Sequence, residues 1–187
     1  NTISGIATKN KIAAPMICGG AVREKVMGRL TKLSDIDVTN GEPSIKNLAK
    51  EVELELSKKF SVKSKMMDDG HSSLFLGSLK IDFSSNFILP NIDNELAKIG
   101  VHNPTHLMRE AYSRDFTCNS LLMNFELTQI TDPTKSGIKD IKSKIIKTCM
   151  DPEITLKYDL NRIIRVIYLS AKLGFVMDDG IIDFIKN

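Results

Sequence analysis

Two aspartates two positions apart, Asp35 and Asp37, carry the strongest chemical signal in this chain. On an extended strand alternate side chains point the same way, so both carboxylates share one face and Ile36 takes the other. Their backbones then lie about 6.5–7 Å apart, and their side chains can converge on cations bridged at about 3.5–4 Å. Without a cation, two like charges about 4 Å apart cost about 1 kcal/mol in water and about 4 kcal/mol at an effective dielectric near 20. That cost points to Mg²⁺. Upstream stand Gly19-Gly20, Arg23 and Gly28. Glycines at a strand-to-helix turn admit positive φ and let the backbone approach a phosphate closely. A lone Asp-x-Asp is ordinarily a solvated turn or strand end; beside the glycine turn it is far more specific.

Three further groups could join this chemistry. Asp82 lies between Ile81 and Phe83, so on a strand it points away from their apolar face. In the right register it supplies a third carboxylate; otherwise it is a solvent-facing acid on an alternating strand. Arg114 and Asp115 are adjacent, with Asn119 four residues after Asp115. Arg offers a forked donor to phosphate oxygens and Asp accepts from hydroxyls. If the segment is helical, Asp115 and Asn119 share a face. Arg162 and Arg165, three apart, share a helix face in the same way, and two solvated arginines explain them equally well.

The elements that must position these residues are legible in outline. Residues 13–18 form a short apolar strand, residues 21–27 a short helix that Gly28 can end, and Asp-Ile-Asp a second strand. Gly41 to Ser44 make a turn with Ser44 as the expected N-cap, and the apolar positions from 45 to 60 keep helical spacing. Strand-like runs at 62–67, 72–76 and 79–84 are joined by Asp68-Asp69-Gly70 and Gly77-Ser78, which predicts antiparallel hairpins. Residues 87–103 read as a connector with a helical turn at 95–99. A helix starting at Pro104 runs to Ser113. A strand is expected at 125–130, a turn and helix start at 132–141, and helices from Asp151-Pro152 onward, with Gly174 as a C-cap and a further helix at 178–186.

Gly19-Gly20-Ala21-Val22-Arg23, Met27-Gly28-Arg29 and Asp35-Ile36-Asp37-Val38-Thr39 resemble the first signature of class II tRNA nucleotidyltransferases and bacterial-type poly(A) polymerases, GGxVRDxLLG followed by DxDxxT. Glu24 stands where the family has Asp, and the closing Thr comes one place early, with Asn40 in its usual position. Arg114 to Ser120 resembles the second signature, RRDFTxNA, with Ser113 for the first Arg, Ser120 for the last small residue and Glu110 for an upstream Asp. Tyr158 to Arg165 resembles the third, DPxRxLR, with Leu160 for Pro. The family's downstream base-reading signature has no match here, and Ser84-Ser85-Asn86 lacks the Arg that commonly follows the third acid.

The resemblance implies an α+β fold: a polymerase-β-like nucleotidyltransferase palm, a mixed, mainly antiparallel sheet of about five strands with flanking helices. The head would span 1–148 and the start of an all-α neck 149–187. It implies template-independent transfer of nucleotides (CCA or A) from a nucleoside triphosphate, ATP or CTP, to an RNA 3′ end such as that of tRNA. Asp35, Asp37 and Asp82 would be catalytic and hold two Mg²⁺ ions. Gly19, Gly20, Arg23, Arg114, Asp115, Asn119, Arg162 and Arg165 would bind the nucleotide. The alternatives are a poly(A) polymerase, a nucleotide- or RNA-binding domain of weakened catalysis, and a palm enzyme acting on a small molecule.

Composition is compatible with all of these. The chain has 187 residues, a formal net charge of +3, 42% hydrophobic and 26% charged residues, the proportions of a globular protein. No apolar run reaches the ~20 residues of a membrane helix, and no membrane partner is expected. Cys18, Cys118 and Cys149 form no CxxC pair, which favours a reducing, cytoplasmic setting. His71, His102 and His106 make no metal-ligand pattern, since Pro104 interrupts the last two.

Overall fold

The computed structural model describes residues 2–32, 34–68, 71–84 and 88–187. The expected Asp69-Gly70 turn and the Ser85-Asn86 segment lie outside the described residues. In chain order the elements are α1 (Thr2–Lys9), β1 (Met16–Cys18), α2 (Gly20–Val26), β2 (Asp35–Thr39), α3 (Ile45–Ser57), β3 (Lys63–Met66), β4 (Ser72–Leu76), β5 (Leu79–Phe83), α4 (Ile92–Lys98) and α5 (His106–Ser113). A 3₁₀ turn (Thr117–Asn119) follows, then β6 (Leu122–Met123), β7 (Ile130–Thr131), α6 (Gly137–Ser143), β8 (Ile145–Ile146), α7 (Pro152–Tyr158), α8 (Asn161–Leu173), β9 (Val176–Met177) and α9 (Asp179–Lys186). They divide into two units, Asn1–Phe87 with Leu122–Thr131, and Ile88–Leu121 with Asp132–Asn187.

The first unit is built on a seven-stranded sheet among the described residues, in the order β3-β4-β5-β2-β1-β6-β7. Every ladder is antiparallel except β2 with β5, which is parallel. The mixed, mainly antiparallel sheet with flanking helices is as expected, but it has seven strands rather than about five. The extra strands, β6 and β7, are two residues long, too short for a periodic signal. Of the strand expected at 125–130 only Ile130 lies in a strand, β7, and residues 125–129 belong to the loop between β6 and β7. There the Asn124 side-chain oxygen accepts hydrogen bonds from the amides of Thr128 (3.0 Å) and Gln129 (2.9 Å), and Leu127 takes φ 59°.

Alternation along the strands sorts the sheet into two faces. Val38, Leu74, Ile81 and Phe83 bury one face against Ile45, Leu48, Ala49 and Val52 of α3, with Ile6 and Ala7 of α1. These α3 positions follow the helical period, so one stripe is core and the rest is solvated. The helix ends at Ser57, before the exposed Phe60. Ser44 does not cap it: its hydroxyl donates to Glu42 Oε2 (3.2 Å) and accepts from Asn40 Nδ2 (3.0 Å), fixing the preceding turn.

The second unit is mainly helical around Leu89, Ile92, Leu96, Tyr112 and Met150. Much of the expected connector is α4, whose Ile92 and Leu96 are buried. Helix α5 begins at His106 rather than at Pro104, because the Thr105 side chain caps it by accepting from Met108 N (3.2 Å). At 132–141 the expected turn is present: Asp132 accepts from Thr134 Oγ1 (2.9 Å) and from Ile138 N (3.0 Å) at the start of α6. Short β8 and β9 pair in parallel. Among the described residues no helix is long and apolar enough to cross a membrane.

Candidate active site

On the sheet face opposite α3, β2 and β5 bring the three predicted acids to adjacent register positions. Asp37 is the ladder partner of Asp82, and Asp35 that of Lys80. Because side chains alternate, Asp35, Asp37, Lys80 and Asp82 share this face, and β1 and β4 contribute Cys18 and Ser73 at partnered positions. Asp35 and Asp37 are exposed and Asp82 is half-buried. Asp82 is held on both oxygens: Ser73 Oγ donates to Oδ1 at 2.5 Å and Lys80 Nζ lies 2.6 Å from Oδ2.

The Gly19-Gly20 turn borders the same acids. Gly19 has φ 70°, the left-handed region that favours glycine, and a Cβ there would stand 2.6 Å from Asp37 Oδ2. The Asp37 carboxylate thus uses the space that a side chain would fill. Behind Gly20 lies the Arg23 guanidinium, 3.5 Å from where a Gly20 Cβ would be. Arg23 is buried and forms an ion pair with Glu24 Oε1 through Nη2 at 3.0 Å. Thr39 and Asn40 close the stretch: Thr39 Oγ1 accepts from Gly41 N and Asn40 Oδ1 from Glu42 N, both at 3.0 Å.

Carboxylate oxygens are the ligands Mg²⁺ prefers, and a cation already stands among these. The Lys80 ammonium has its pKa raised, first by its hydrogen bond to Asp82 and then by the charges of Asp82, Asp35 and Asp37, against the opposing effect of burial. The three carboxylates are donors of the type a divalent ion takes. Among the described residues, however, no three acids, histidines or cysteines stand close enough together to hold a metal ion as the side chains now lie. Lys80 is the residue that sequence reasoning misses. Its signal was its place two before Asp82 on the same strand.

In the second unit the Arg-Asp pair does not continue the helix. Helix α5 stops at Ser113, where Arg114 turns to extended backbone; the chain bends at 114–115, and Phe116 is extended again before the 3₁₀ turn. Asp115 is buried: Oδ1 accepts from Phe116 N (2.8 Å) and Asn119 Nδ2 (3.2 Å), while Oδ2, among the described residues, makes no hydrogen bond of good geometry but pairs in charge with Arg165 Nη2 at 2.7 Å. Asp115 and Asn119 therefore meet, through the 3₁₀ turn rather than through an α-helix. Arg114 pairs with buried Glu110 at 2.8 Å. Arg162 and Arg165 part ways despite their spacing. Arg165 is exposed, whereas Arg162 is 2% exposed and donates to the carbonyls of Thr155 (3.2 Å) and Ser113 (2.9 Å). Burial lowers the Arg162 pKa, with Asp115 acting in the opposite direction.

The departures from the family signatures have local explanations. Ser113 is fully buried; its hydroxyl donates to Arg109 O (2.7 Å) and accepts from Leu89 N (2.9 Å). Leu160 takes φ −63°, the value a proline imposes, so the backbone of α8 starts as it would with Pro. Asp159 then accepts from Asn161 N at 3.0 Å.

Comparison with known proteins bears on this arrangement. A tRNA nucleotidyltransferase of Schizosaccharomyces pombe is 30% identical over 124 residues, 66% of this chain and 25% of its own length. The mitochondrial CCA tRNA nucleotidyltransferase of Saccharomyces cerevisiae is 26% identical over 176 residues, 87% of this chain and 32% of its own. A solved tRNA nucleotidyltransferase complexed with a primer tRNA and an incoming ATP analog superposes with a TM-score of 0.73 at 24% identity, covering 98% of this chain and 48% of that one. The chain thus spans about a quarter to a third of the length of these two curated relatives. Residues 16–147 match the family described as the poly A polymerase head domain. That match contains both the glycine–aspartate stretch and the Arg114–Ser120 segment, and the chain belongs to the poly A polymerase head domain family.

Proposed function

We propose that this chain is the head of a template-independent RNA nucleotidyltransferase that adds nucleotides (CCA or A) from a nucleoside triphosphate to a tRNA 3′ end. The observation that carries this reading is the register of Asp37 with Asp82, with Asp35 on the same face and the Gly19 turn alongside. A pure binding surface gains little from three mutually repelling acids. The names of the two yeast relatives favour tRNA over a poly(A) substrate.

In this reading Asp35, Asp37 and Asp82 hold two Mg²⁺ ions, which when bound supply charge neutralisation and activation of the attacking hydroxyl. Ser73 fixes the rotamer of Asp82 by its hydrogen bond. Gly19 and Gly20 bring backbone close to the triphosphate, and the Arg23 guanidinium behind the turn supplies positive charge. Arg114, Asp115 and Asn119 serve the nucleotide's sugar and phosphates. Asp115 does so by holding Asn119 and Arg165 in place. Arg162 contributes by anchoring α8 to the end of α5. No protein nucleophile is required, because positioning and charge stabilisation carry phosphoryl transfer.

We also propose a division into head (1–148) and neck (149–187), supported by the end of the family match at 147; it follows the family boundary rather than the two compact units, the second of which also takes in residues 88–121 and 132–148. Three free, buried thiols support a reducing compartment, here the cytoplasm.

The test is incubation of the protein with Mg²⁺, a tRNA lacking its 3′ end and each labelled triphosphate in turn. CTP followed by ATP incorporation is the expected result. ATP-only incorporation would mean A addition or polyadenylation, and no incorporation would favour a binding domain. Incorporation must vanish in Asp35→Ala and Asp37→Ala; activity surviving both sinks the reading.

A further inference from the structure

Lys80 stands where a metal-binding face should hold no fixed positive charge. It is the ladder partner of Asp35, it precedes Asp82 by two on β5, and its Nζ lies 2.6 Å from Asp82 Oδ2. The other oxygen of Asp82 already accepts from Ser73 Oγ at 2.5 Å. Both Asp82 oxygens are therefore occupied by donors, one of them a cation. The Lys80 side chain is 39% exposed, so its flexible stem has a path out to solvent. Ser73 has no such freedom, being a short, buried side chain within β4.

Three carboxylates on adjacent register positions repel one another unless a cation lies among them. An ammonium relieves that repulsion with one charge and no demand on coordination geometry. A divalent ion relieves it with two charges and needs the oxygens themselves. On Asp82 Oδ2 the two cations compete, because two positive charges on one oxygen repel each other.

We propose that Lys80 is a tethered resident cation that neutralises the Asp35–Asp37–Asp82 face when no divalent ion is bound and competes with that ion for Asp82. This rests on the reading of the three aspartates as metal ligands. Lys80 is thus a positioning residue: it offsets the repulsion among acids that the strand register has already gathered, and it sets the metal concentration at which the face is loaded. Withdrawal of its side chain into solvent is the step that admits the metal. No bond is made or broken in the exchange.

The test is Mn²⁺ binding to the nucleotide-free protein, read as loss of the free-ion electron paramagnetic resonance signal. Wild type is compared with Lys80→Met, which keeps the stem and removes the charge, Lys80→Arg, which keeps the charge, and Asp37→Asn. Lys80→Met is expected to bind Mn²⁺ about tenfold more tightly than wild type, as removal of one nearby competing charge predicts, and Lys80→Arg to stay close to wild type. Thermal unfolding with and without Mn²⁺ gives a second readout, with a larger metal-induced rise in melting temperature for Lys80→Met. Equal affinity in wild type and Lys80→Met, with binding lost in Asp37→Asn, overturns the role of Lys80 and leaves the metal site standing. Binding unaffected by Asp37→Asn, or absent from wild type and Lys80→Met alike, overturns the metal reading and the proposal with it.

Discussion

Gly19 and Asp37 are fitted to one another: the space where a Gly19 Cβ would sit lies 2.6 Å from Asp37 Oδ2. Gly19→Ala is therefore expected to push the carboxylate away and to strain a backbone at φ 70°. The strain costs about 1–3 kcal/mol, since φ 70° with ψ −140° lies outside the left-handed helical well, while nucleotide incorporation falls about 100-fold because an ångström-scale misplacement of a catalytic group is that costly. Urea unfolding and incorporation assays separate the two effects. Near-normal activity in a folded Gly19→Ala protein would show that Asp37 does not depend on this turn.

Arg162 is expected to matter for stability before it matters for nucleotide. Arg162→Ala strands the carbonyls of Ser113 and Thr155 in a buried site. Loss of buried charge-assisted hydrogen bonds of this kind costs about 2–4 kcal/mol. The urea midpoint should drop markedly. A midpoint unchanged from wild type would mean that the helix start is held by other contacts.

Asp115 and Arg165 should prove unequal partners. Asp115→Ala removes the acceptor for Phe116 N and Asn119 Nδ2 as well as the ion pair, and should cost about 2 kcal/mol. Arg165 is exposed, so Arg165→Ala should cost less than about 1 kcal/mol and less still in high salt. A double-mutant cycle measures the coupling. Equal single-mutant costs would contradict the hub role of Asp115.

Alkaline pH should destabilise the second unit through Cys149. Burial pushes its thiol pKa well above the ordinary value of 9.0, and the charge of Asp115 adds to the shift. The folded protein then keeps a proton that the unfolded chain releases, so stability is intact below pH 9 and falls as pH rises beyond it. Tyr112, also raised by burial, acts in the same direction from about pH 10 upward. Melting temperature measured across this range should decline, and Cys149→Ala should flatten the decline whatever its baseline stability. A parallel decline in both proteins would exclude the thiol.

The legible parts of this molecule were those written in local periodicity. Ile81-Asp82-Phe83 told which way Asp82 faces, and the spacing of Ile45, Leu48, Ala49 and Val52 told which stripe of α3 is buried. Helix ends were less readable where side chains made the choice, as Thr105 did for α5 and as Ser44 declined to do for α3. Arg162 and Arg165 show a stronger limit. Their spacing fixes a common face, but only packing around Ser113 and Thr155 decides that one guanidinium is buried and the other left in solvent. Lys80 was written in the same alternation as Asp82, yet its meaning depended on a parallel ladder with a distant strand. The Ser113 and Leu160 departures, unreadable as single letters, became intelligible once their hydrogen bonds and backbone angles were known.

The parallel β2–β5 ladder has a consequence for how the protein comes into being. Its two strands are separated along the chain by α3, β3 and β4, so the ladder closes only after that whole excursion has been made. Contacts of such long sequence separation are slow to form, because the loop entropy is lost before the pairing rewards it. Asp35 and Asp37 emerge first, on a strand paired antiparallel with β1 across α2, and acquire Asp82 only with the completed sheet. A half-made chain therefore lacks the third carboxylate, and assembly order itself withholds a complete acidic face until the unit has folded.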